Sequence, residues 1–223
     1  LSSAASDVYK RQTYGSVERM ERLFSAAIRH PEVVALSVAT RPDCLPDAVL
    51  ALLQTLNTQK PVWVELGLQT IHPATAAYIR RGYDLPVFDD AMARLKQAGL
   101  ETVIHQIIGL PGETDEQIVQ TARYIGQSGA DGVKLHLLHV LRDTDLALDY
   151  AAGRFQTLTP EHYIALLEQC LQVLPPEVVI HRMTGDGAKR DLIAPLWSAD
   201  KKRVLNAIHA AFLRDDLVQG SAL

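Results

Sequence analysis

Cysteine is scarce in this sequence, which has only Cys44 and Cys170, far apart in the chain. The two form no short Cys-x-x-Cys spacing, which argues against a disulfide framework and against a zinc site. No apolar run reaches the roughly 18 residues that a membrane span requires. The net charge of −4 gives no general attraction to nucleic acid or to anionic lipid. These absences predict a soluble, cytoplasmic protein without a membrane contact.

The stretch SSAASDVYKRQ at residues 2–12 has no apolar period, unlike the chain that follows it. Back-translated with permitted codons, it resembles an adapter used in transposase-based sequencing libraries. We therefore expect residues 1–12 to be a sequencing artefact, the alternative being an ordinary polar tail. On this expectation a single domain with a C-terminal extension occupies residues 13–223, and an unknown length of chain is missing before Thr13.

From residue 13 onward, apolar strands alternate with amphipathic helices. The helices have clear ends: Gly99 is a C-terminal cap, Thr114 and Gln117 form a capping box, and Thr159 precedes a proline in the first turn. The predicted strands are 33–39, 62–68, 102–110, 133–140 and 178–183. The predicted helices include 16–29, 47–56, 72–82, 84–99, 161–174 and roughly 199–213.

Continuous apolar strands of this kind are buried on both faces, which predicts a parallel sheet covered by helices. The class is therefore α/β, either a (β/α) barrel or an open doubly wound sheet. Five strands do not close the usual barrel, which agrees with the loss of the first strands. In either architecture, ligands bind where strands end and the following loops begin.

The stretch IIGLPGET at 107–114 runs from a strand into Gly109 and Gly112 and then into a capped helix. Such a turn exposes backbone groups at the sheet edge and lets a flat ligand approach, although an ordinary tight turn is the alternative. Two further stretches accompany it, VELGLQTIHPATAAYIRRGYD at 64–84 and VKLHLLHVLRDTDL at 133–146. Together these segments resemble the radical S-adenosylmethionine (SAM) enzymes, most closely the YhcC-type branch. More distantly, they resemble oxygen-independent coproporphyrinogen oxidase and the elongator catalytic subunit.

The resemblance implies a partial (β/α)6 TIM-like barrel of parallel strands, missing its first strands in this chain. In the family, a [4Fe-4S] cluster reduces bound SAM, and a 5′-deoxyadenosyl radical is released. A full-length parent would also need a reductant such as flavodoxin or ferredoxin. The substrate is not implied by these residues.

Cofactor contacts are carried over from the family to matching positions. Gln69 is expected near the ribose, because an amide both donates and accepts hydrogen bonds. Arg81 is expected to hold the cofactor carboxylate with its guanidinium fork. His105 stands where the related oxidases place an acidic ribose ligand, and Ile107 and Gly109 would pack against adenine.

Glu65 is a sixth cofactor candidate, because Ala39 stands where related families carry a glutamate that contacts the cofactor's amino group. Pairing of Glu65 with a buried cation is the alternative. The weaker, substrate-facing candidates are Arg41, Lys134, His136 and Arg182, with His139 and His181 nearby. Lys134 and His136 share a strand face, so His139 must point the other way. Residues 186–191 are either a substrate loop or a solvated surface loop.

The family holds its cluster with three cysteines in the pattern Cys-x3-Cys-x2-Cys, because such clusters require thiolate ligands. Cys44 and Cys170 cannot form that pattern. We expect the triad to have been lost with the missing N-terminus, a degenerate relative being the alternative. The cluster is thus expected in the full-length parent only, and this chain is expected to hold no metal and to be inactive.

Two other functions are alternatives to this one. A metal-dependent TIM-barrel hydrolase could hold zinc with His105, His136 and His181 at strand ends. An RNA-binding or tRNA-modifying module is suggested by Lys201, Lys202 and Arg203, although the basic stripe with interleaved aromatics typical of such proteins is missing. RNA also stays open as the substrate of the full enzyme.

Overall fold

The structure is a computed structural model that describes residues 13–185 and 189–223. The predicted artefact at 1–12, and Asp186 of the candidate substrate loop, lie outside the described residues. The helices are α1 Val17–Ile28, α2 Asp47–Asn57, α3 Pro73–Tyr78, α4 Leu85–Gln97, α5 Asp115–Gln127, α6 Asp145–Ala151, α7 Pro160–Gln172 and α8 Lys201–Arg214. The strands are β1 Leu36–Thr40, β2 Val62–Gln69, β3 Glu101–Ile108, β4 Gly132–Leu137, β5 Val140–Leu141, β6 Val179–Arg182 and β7 Leu192–Ala194.

Among the described residues, five strands form a parallel sheet in the order β1-β2-β3-β4-β6. The pairing of β1 with β2 starts at Leu36 opposite Val62 and ends at Thr40 opposite Leu66. A separate small sheet pairs β5 with β7 in antiparallel fashion. The predicted α/β class with a parallel, helix-covered sheet is confirmed.

The chain divides into two compact units, and the first comprises residues up to 68, 82–105 and 130–132. Its apolar core lies between helices α1, α2 and α4 and the strands. In β1 and β2 the residues facing that core alternate with half-buried residues, as the two-residue period of a strand requires. The largest fully buried side chains of this unit are Ile28, Leu53, Leu56, Leu66, Leu68, Phe88, Leu95 and Ile104.

The second unit comprises residues 69–81, 106–129 and 133–223. Helices α5 and α7 pack together in it, and α8 packs against α7. Tyr163 of α7 is fully buried and donates a hydrogen bond to the Met183 carbonyl oxygen at 3.0 Å. Cys170, on the same helix, is also fully buried and belongs to the core.

The helix ends that the sequence predicts are confirmed. Gly99 adopts a φ of +67° just after α4, the left-handed conformation that favours glycine. Thr114 and Gln117 form the reciprocal capping box of α5. The Thr159 side chain accepts from the His162 backbone N–H at the start of α7, with proline in the first turn.

Two predicted boundaries are wrong, and two elements were not predicted. The predicted strand 133–140 ends at Leu137, and Val140–Leu141 forms a separate strand that pairs with the unpredicted β7. The predicted helix 72–82 ends at Tyr78, because the chain turns through positive φ at Arg80 and Gly82. Helix α6 was not predicted, and each of its residues is exposed or half-buried, so it carries no apolar stripe.

No helix within the described residues is long and apolar enough to cross a membrane.

Candidate functional site

Strand β2 carries its polar residues on one face. The buried residues of this strand are Val62, Val64, Leu66 and Leu68. The half-buried residues, on the opposite face, are Trp63, Glu65, Gly67 and Gln69. Gln69 has a φ of +68°, so the strand ends in a left-handed turn at this glutamine. Such a conformation costs energy in a residue other than glycine and concentrates at functional sites. The predicted glutamine therefore lies at the strand end, where parallel sheets bind ligands.

In the first unit, the structure brings Glu65 together with His105. The Glu65 carboxylate accepts a hydrogen bond from the Ser37 hydroxyl at 2.5 Å, and His105 Nε2 lies 2.8 Å from its other oxygen. Ser37 was not singled out in the sequence, although it lies two residues before Ala39 on the same face of β1. The three side chains come from β1, β2 and β3 and form one continuous polar chain.

In the second unit, Arg81 is buried, with 8% of its surface exposed. Its Nη1 donates to the Thr70 carbonyl oxygen at 2.6 Å. The neighbouring Arg80 points to solvent, with a 78% exposed side chain that pairs with Asp145 at 2.6 Å. The positive φ of Arg80 separates the directions of the two arginines. A buried guanidinium is costly unless acceptors surround it, and the Thr70 carbonyl oxygen is one such acceptor.

Glu113 connects the turn after β3 with the loop after β2. Its Oε1 accepts from the Thr70 hydroxyl at 2.5 Å, and Thr75 also hydrogen-bonds to the carboxylate. Burial raises the pKa of Glu113, and the two threonine hydrogen bonds and His72 oppose that rise. These contacts of Glu113 with Thr70 and Thr75, called here the Glu113 clamp, fix Thr70, which immediately follows Gln69. Sequence reasoning did not single out Glu113 or Thr70, although both lie inside the quoted motifs.

A second contact holds the same loop. His72 Nε2 lies 2.8 Å from the Gln117 carbonyl oxygen, and the Ile71 backbone N–H donates to the Thr121 hydroxyl at 3.4 Å. Both partners belong to α5, the helix that Thr114 caps. The loop after β2 is therefore tied to the first turns of α5 as well as to Glu113.

Gly109 and Gly112 both need the conformational freedom of glycine. Their φ values are +90° and +84°. A Cβ atom on Gly109 would lie 2.9 Å from Leu158 Cδ1, whereas one on Gly112 would meet nothing within 4 Å. Gly109 is therefore required by its packing as well as by its backbone, and the turn passes closely beneath Leu158.

Arg41 is held within its own neighbourhood of the first unit. It makes a bidentate contact with Asp43 at 2.8 and 2.7 Å, which raises the pKa of the guanidinium. It also donates to the Gly82 carbonyl oxygen at 3.3 Å and lies 5.5 Å from the centre of the Tyr83 ring. The structure thus gives this substrate candidate a local structural role.

The remaining substrate candidates belong to the second unit. Lys134 and His136 are half-buried on the same face of β4, as predicted from their spacing. Arg182 is half-buried on β6, and His181 beside it is exposed. His139 lies beyond the end of β4, where Nε2 is 3.0 Å from the Ser198 hydroxyl and its ring leaves no room for a Cβ on Gly185.

Within residues 13–185 and 189–223, no group of three or more His, Cys, Asp and Glu side chains is arranged to hold a metal ion. His105 is instead engaged with Glu65. The ligand set that the hydrolase alternative requires is therefore not formed among these residues.

Comparison with known proteins connects these features to a family. Residues 13–125 match the Radical SAM superfamily, and residues 130–214 match the Radical_SAM C-terminal domain. The chain is 39% identical over 197 residues to YtqA of Bacillus subtilis, an alignment covering 88% of this chain and 61% of YtqA. It is 36% identical over 212 residues to YhcC of Escherichia coli, covering 95% of this chain and 68% of YhcC. The chain thus spans about three-fifths to two-thirds of the length of these relatives.

The fold has a counterpart among solved structures. An archaeal Elp3 from Methanocaldococcus infernus, with residues 1–46 deleted, superposes with a TM-score of 0.80 at 20% identity. The match covers 95% of this chain and 54% of that one. This similarity supports the TIM-like α/β fold of the radical SAM proteins. On the family matches and the identities together, the chain belongs to the radical SAM superfamily and is of the YhcC type.

Proposed function

We propose that this chain is the part of a radical SAM enzyme that binds SAM through the loops following β2 and β3. The observation that carries the proposal is the buried Arg81, held beside the strand end that carries Gln69. A buried cation is the expected partner of the cofactor's carboxylate. Gln69 would serve the ribose hydroxyls, because its amide offers both a donor and an acceptor.

Adenine would pack against Ile107 and the backbone at Gly109. Positive φ at Gly109 turns the chain away from the strand and leaves backbone amide and carbonyl groups at the strand end. The Glu113 clamp supports this arrangement, because it holds the loop after β2 to the turn after β3. Glu65 and His105, in the first unit, stay separate proposals for cofactor contact, and Lys134, His136, Arg182 and Arg41 stay proposals for substrate contact.

The [4Fe-4S] cluster of the family does not fit the thiols of this chain. Cys170 is fully buried in α7, and burial raises the pKa of its thiol to about 12, which opposes the thiolate that iron requires. Cys44 is half-buried and is the only other cysteine of the sequence. We therefore propose that cleavage of SAM is an activity of a longer protein carrying a cysteine triad.

The proposal is tested by calorimetric titration of the chain with S-adenosylhomocysteine and with 5′-methylthioadenosine, which lacks the carboxylate. We expect Arg81→Ala to weaken S-adenosylhomocysteine binding by about tenfold or more, because a charge-assisted hydrogen bond is lost. Binding of 5′-methylthioadenosine should be unchanged by the same variant. Gln69→Ala should weaken both ligands.

The matched control is Arg80→Ala, which removes the same charge one residue away from an exposed ion pair. It should leave both affinities unchanged. Circular dichroism establishes that each variant is folded, which matters because Arg81 is buried. If folded Arg81→Ala binds S-adenosylhomocysteine like the unaltered chain, Arg81 is not the carboxylate ligand. If the unaltered chain binds neither ligand, the proposed function fails.

For the complete protein we propose a one-electron donor of the flavodoxin or ferredoxin type as partner, in keeping with the family. RNA is the alternative among substrates, on the basis of exposed Lys201, Lys202 and Arg203 in the first turn of α8. Filter binding of tRNA tests it, because replacing these three residues by alanine should weaken binding and reduce its dependence on salt. Equal binding by both proteins at every salt concentration would remove this alternative.

A further inference from the structure

Helix α6 of the second unit packs against β5 but contains no fully buried residue. Leu146, Ala147 and Tyr150 are half-buried, and Leu148 is 70% exposed. Helix α7 of the same unit, by contrast, has a buried and largely apolar face. Little apolar surface therefore holds α6 in place, and segments of this kind open locally at a low cost in free energy.

Polar contacts hold α6 to the loop after β2. Asp149 accepts from the Tyr78 hydroxyl at 2.5 Å with one oxygen and from Arg154 Nη1 at 2.7 Å with the other. The Asp149 side chain is only 19% exposed, which strengthens these bonds relative to those of a surface pair. Asp145, four residues earlier and on the same helix face, pairs with Arg80 at 2.6 Å. The contacts of Asp149 with Tyr78 and of Asp145 with Arg80 are called here the α6 latch.

Both ends of α6 adjoin residues in the left-handed conformation. Asp143 lies before the helix with a φ of +60°, and Gly153 lies after it with a φ of +70°. A Cβ atom on Gly153 would meet nothing within 4 Å, so packing does not fix this residue. Hinges consist of a few residues at the ends of an element that absorb changes in backbone dihedral angles. Asp143 and Gly153 are therefore suited to act as the hinges of α6.

The neighbours of α6 place it at the edge of the sheet where ligands are expected. The helix follows β4 and β5, and the Leu138 backbone N–H just after β4 donates to the Ile108 carbonyl oxygen at the end of β3 at 3.0 Å. The α6 latch reaches Tyr78 and Arg80 in the loop after β2. In the sheet order, β3 lies between β2 and β4. Helix α6 thus connects the segments on either side of the turn at Gly109.

We propose that α6 is a lid, and that opening of the α6 latch lets the adenosyl ligand enter and leave the strand-end site. The proposal rests on the proposed function, because the ligand is the one proposed for the loops after β2 and β3. The latch joins two segments of the protein, so loosening it favours opening equally in the free and the bound chain. Association and dissociation should therefore become faster by the same factor, and the affinity should stay unchanged.

The first test needs no ligand. Hydrogen exchange of the chain, followed by mass spectrometry, reports the opening of α6 separately from that of α7. We expect the amides of α6 to be about a hundredfold less protected than those of α7. Tyr78→Phe removes only the hydroxyl and should raise exchange in α6 about two- to tenfold, the value of one net hydrogen bond, without changing α7. Exchange of α6 only together with α7 would overturn the proposal.

The matched control is Tyr14→Phe, which removes the same hydroxyl from a tyrosine that is 75% exposed and belongs to the first unit. It should change exchange in neither helix. Arg80→Ala removes the exposed ion pair of the latch and should raise exchange in α6 by less than about fivefold. If Tyr78→Phe leaves exchange in α6 at the level of the unaltered chain, the latch does not hold the helix closed.

The second test measures the rates of ligand exchange by surface plasmon resonance with S-adenosylhomocysteine. Tyr78→Phe should raise the association and dissociation rate constants about two- to tenfold and leave Kd unchanged, whereas Tyr14→Phe should change neither rate. If exchange in α6 rises but both rate constants stay the same, α6 opens without controlling the site and the proposal fails. If no adenosyl compound binds the unaltered chain, the proposed function fails and the lid with it, and hydrogen exchange still decides whether α6 opens as a unit.

Discussion

Replacement of Gly109 by alanine tests the packing of the turn after β3. At a φ of +90°, an L-residue costs about 1–2 kcal/mol. The added Cβ would also lie 2.9 Å from Leu158 Cδ1 and 3.2 Å from Leu158 Cγ, and overpacking of this kind costs about 1–3 kcal/mol. We therefore expect Gly109→Ala to lower the free energy of unfolding by about 2–5 kcal/mol.

Gly112→Ala is the matched control, because its φ of +84° is similar and its Cβ would meet nothing within 4 Å. It should cost only the backbone part, about 1–2 kcal/mol. Leu158→Ala should relieve the clash, so that Gly109→Ala costs about 1–3 kcal/mol less in that background than in the unaltered chain.

The assay is urea unfolding of the ligand-free chain, followed by circular dichroism. Gly109→Ala, Leu158→Ala and their double variant form a double-mutant cycle, and Gly112→Ala is measured beside them. Equal losses for Gly109→Ala and Gly112→Ala, together with independence of Leu158, would refute the reasoning. The turn would then need glycine for its backbone alone.

Two further predictions concern the protonation of Glu113 and the accessibility of the two cysteines. Burial raises the pKa of Glu113 above its ordinary 4.5, so the folded state holds this proton more tightly than the unfolded state. The chain should therefore lose stability relative to Glu113→Gln as the pH rises from 4.5. Thermal melts of both proteins across pH measure the difference. Parallel stability curves for the two proteins would contradict the raised pKa of Glu113. In the native chain Cys44 should react with iodoacetamide while buried Cys170 does not, and both should react after unfolding. Peptide mass mapping identifies the labelled cysteines. Labelling of Cys170 in the native chain would show that α7 is less well packed.

Elements with local signals were predicted well. Helix α5 has an apolar stripe and a capping box, and α7 begins with a threonine cap and proline, so each start is set by nearby residues. The strands that begin near Val62 and Glu101 are apolar enough to be recognised alone. Cap residues and periodicity act over a few residues, which is why the sequence suffices for them.

The two elements that were not predicted, α6 and β7, have a common cause. Helix α6 is held by polar contacts, among them Tyr78 Oη donating to Asp149 at 2.5 Å and the Arg80 pair with Asp145. These partners lie about 65–71 positions away in the chain, so no local period reveals them. Strand β7 exists because β5 pairs with it, and three residues of sequence carry too weak a signal.

The candidate site also divides into residues that the sequence indicated and residues that only the structure revealed. The resemblance named Gln69, Arg81, His105 and Glu65, whereas Ser37, Thr70 and Glu113 emerged only from their contacts. The sequence left open whether Glu65 meets the cofactor or a buried cation. In the structure it lies between Ser37 and His105, which makes it a partner of side chains on two other strands.

By itself the sequence determined the α/β class, the helix caps, the parity of strand residues and the resemblance to the radical SAM family. These properties depend on residue type and on spacing within one element. Only the tertiary structure decided that Arg81 is buried while Arg80 faces solvent, that Leu158 covers Gly109, and that Glu65 joins Ser37 to His105. Each of these depends on which distant segments meet, and that is set by packing of the whole chain.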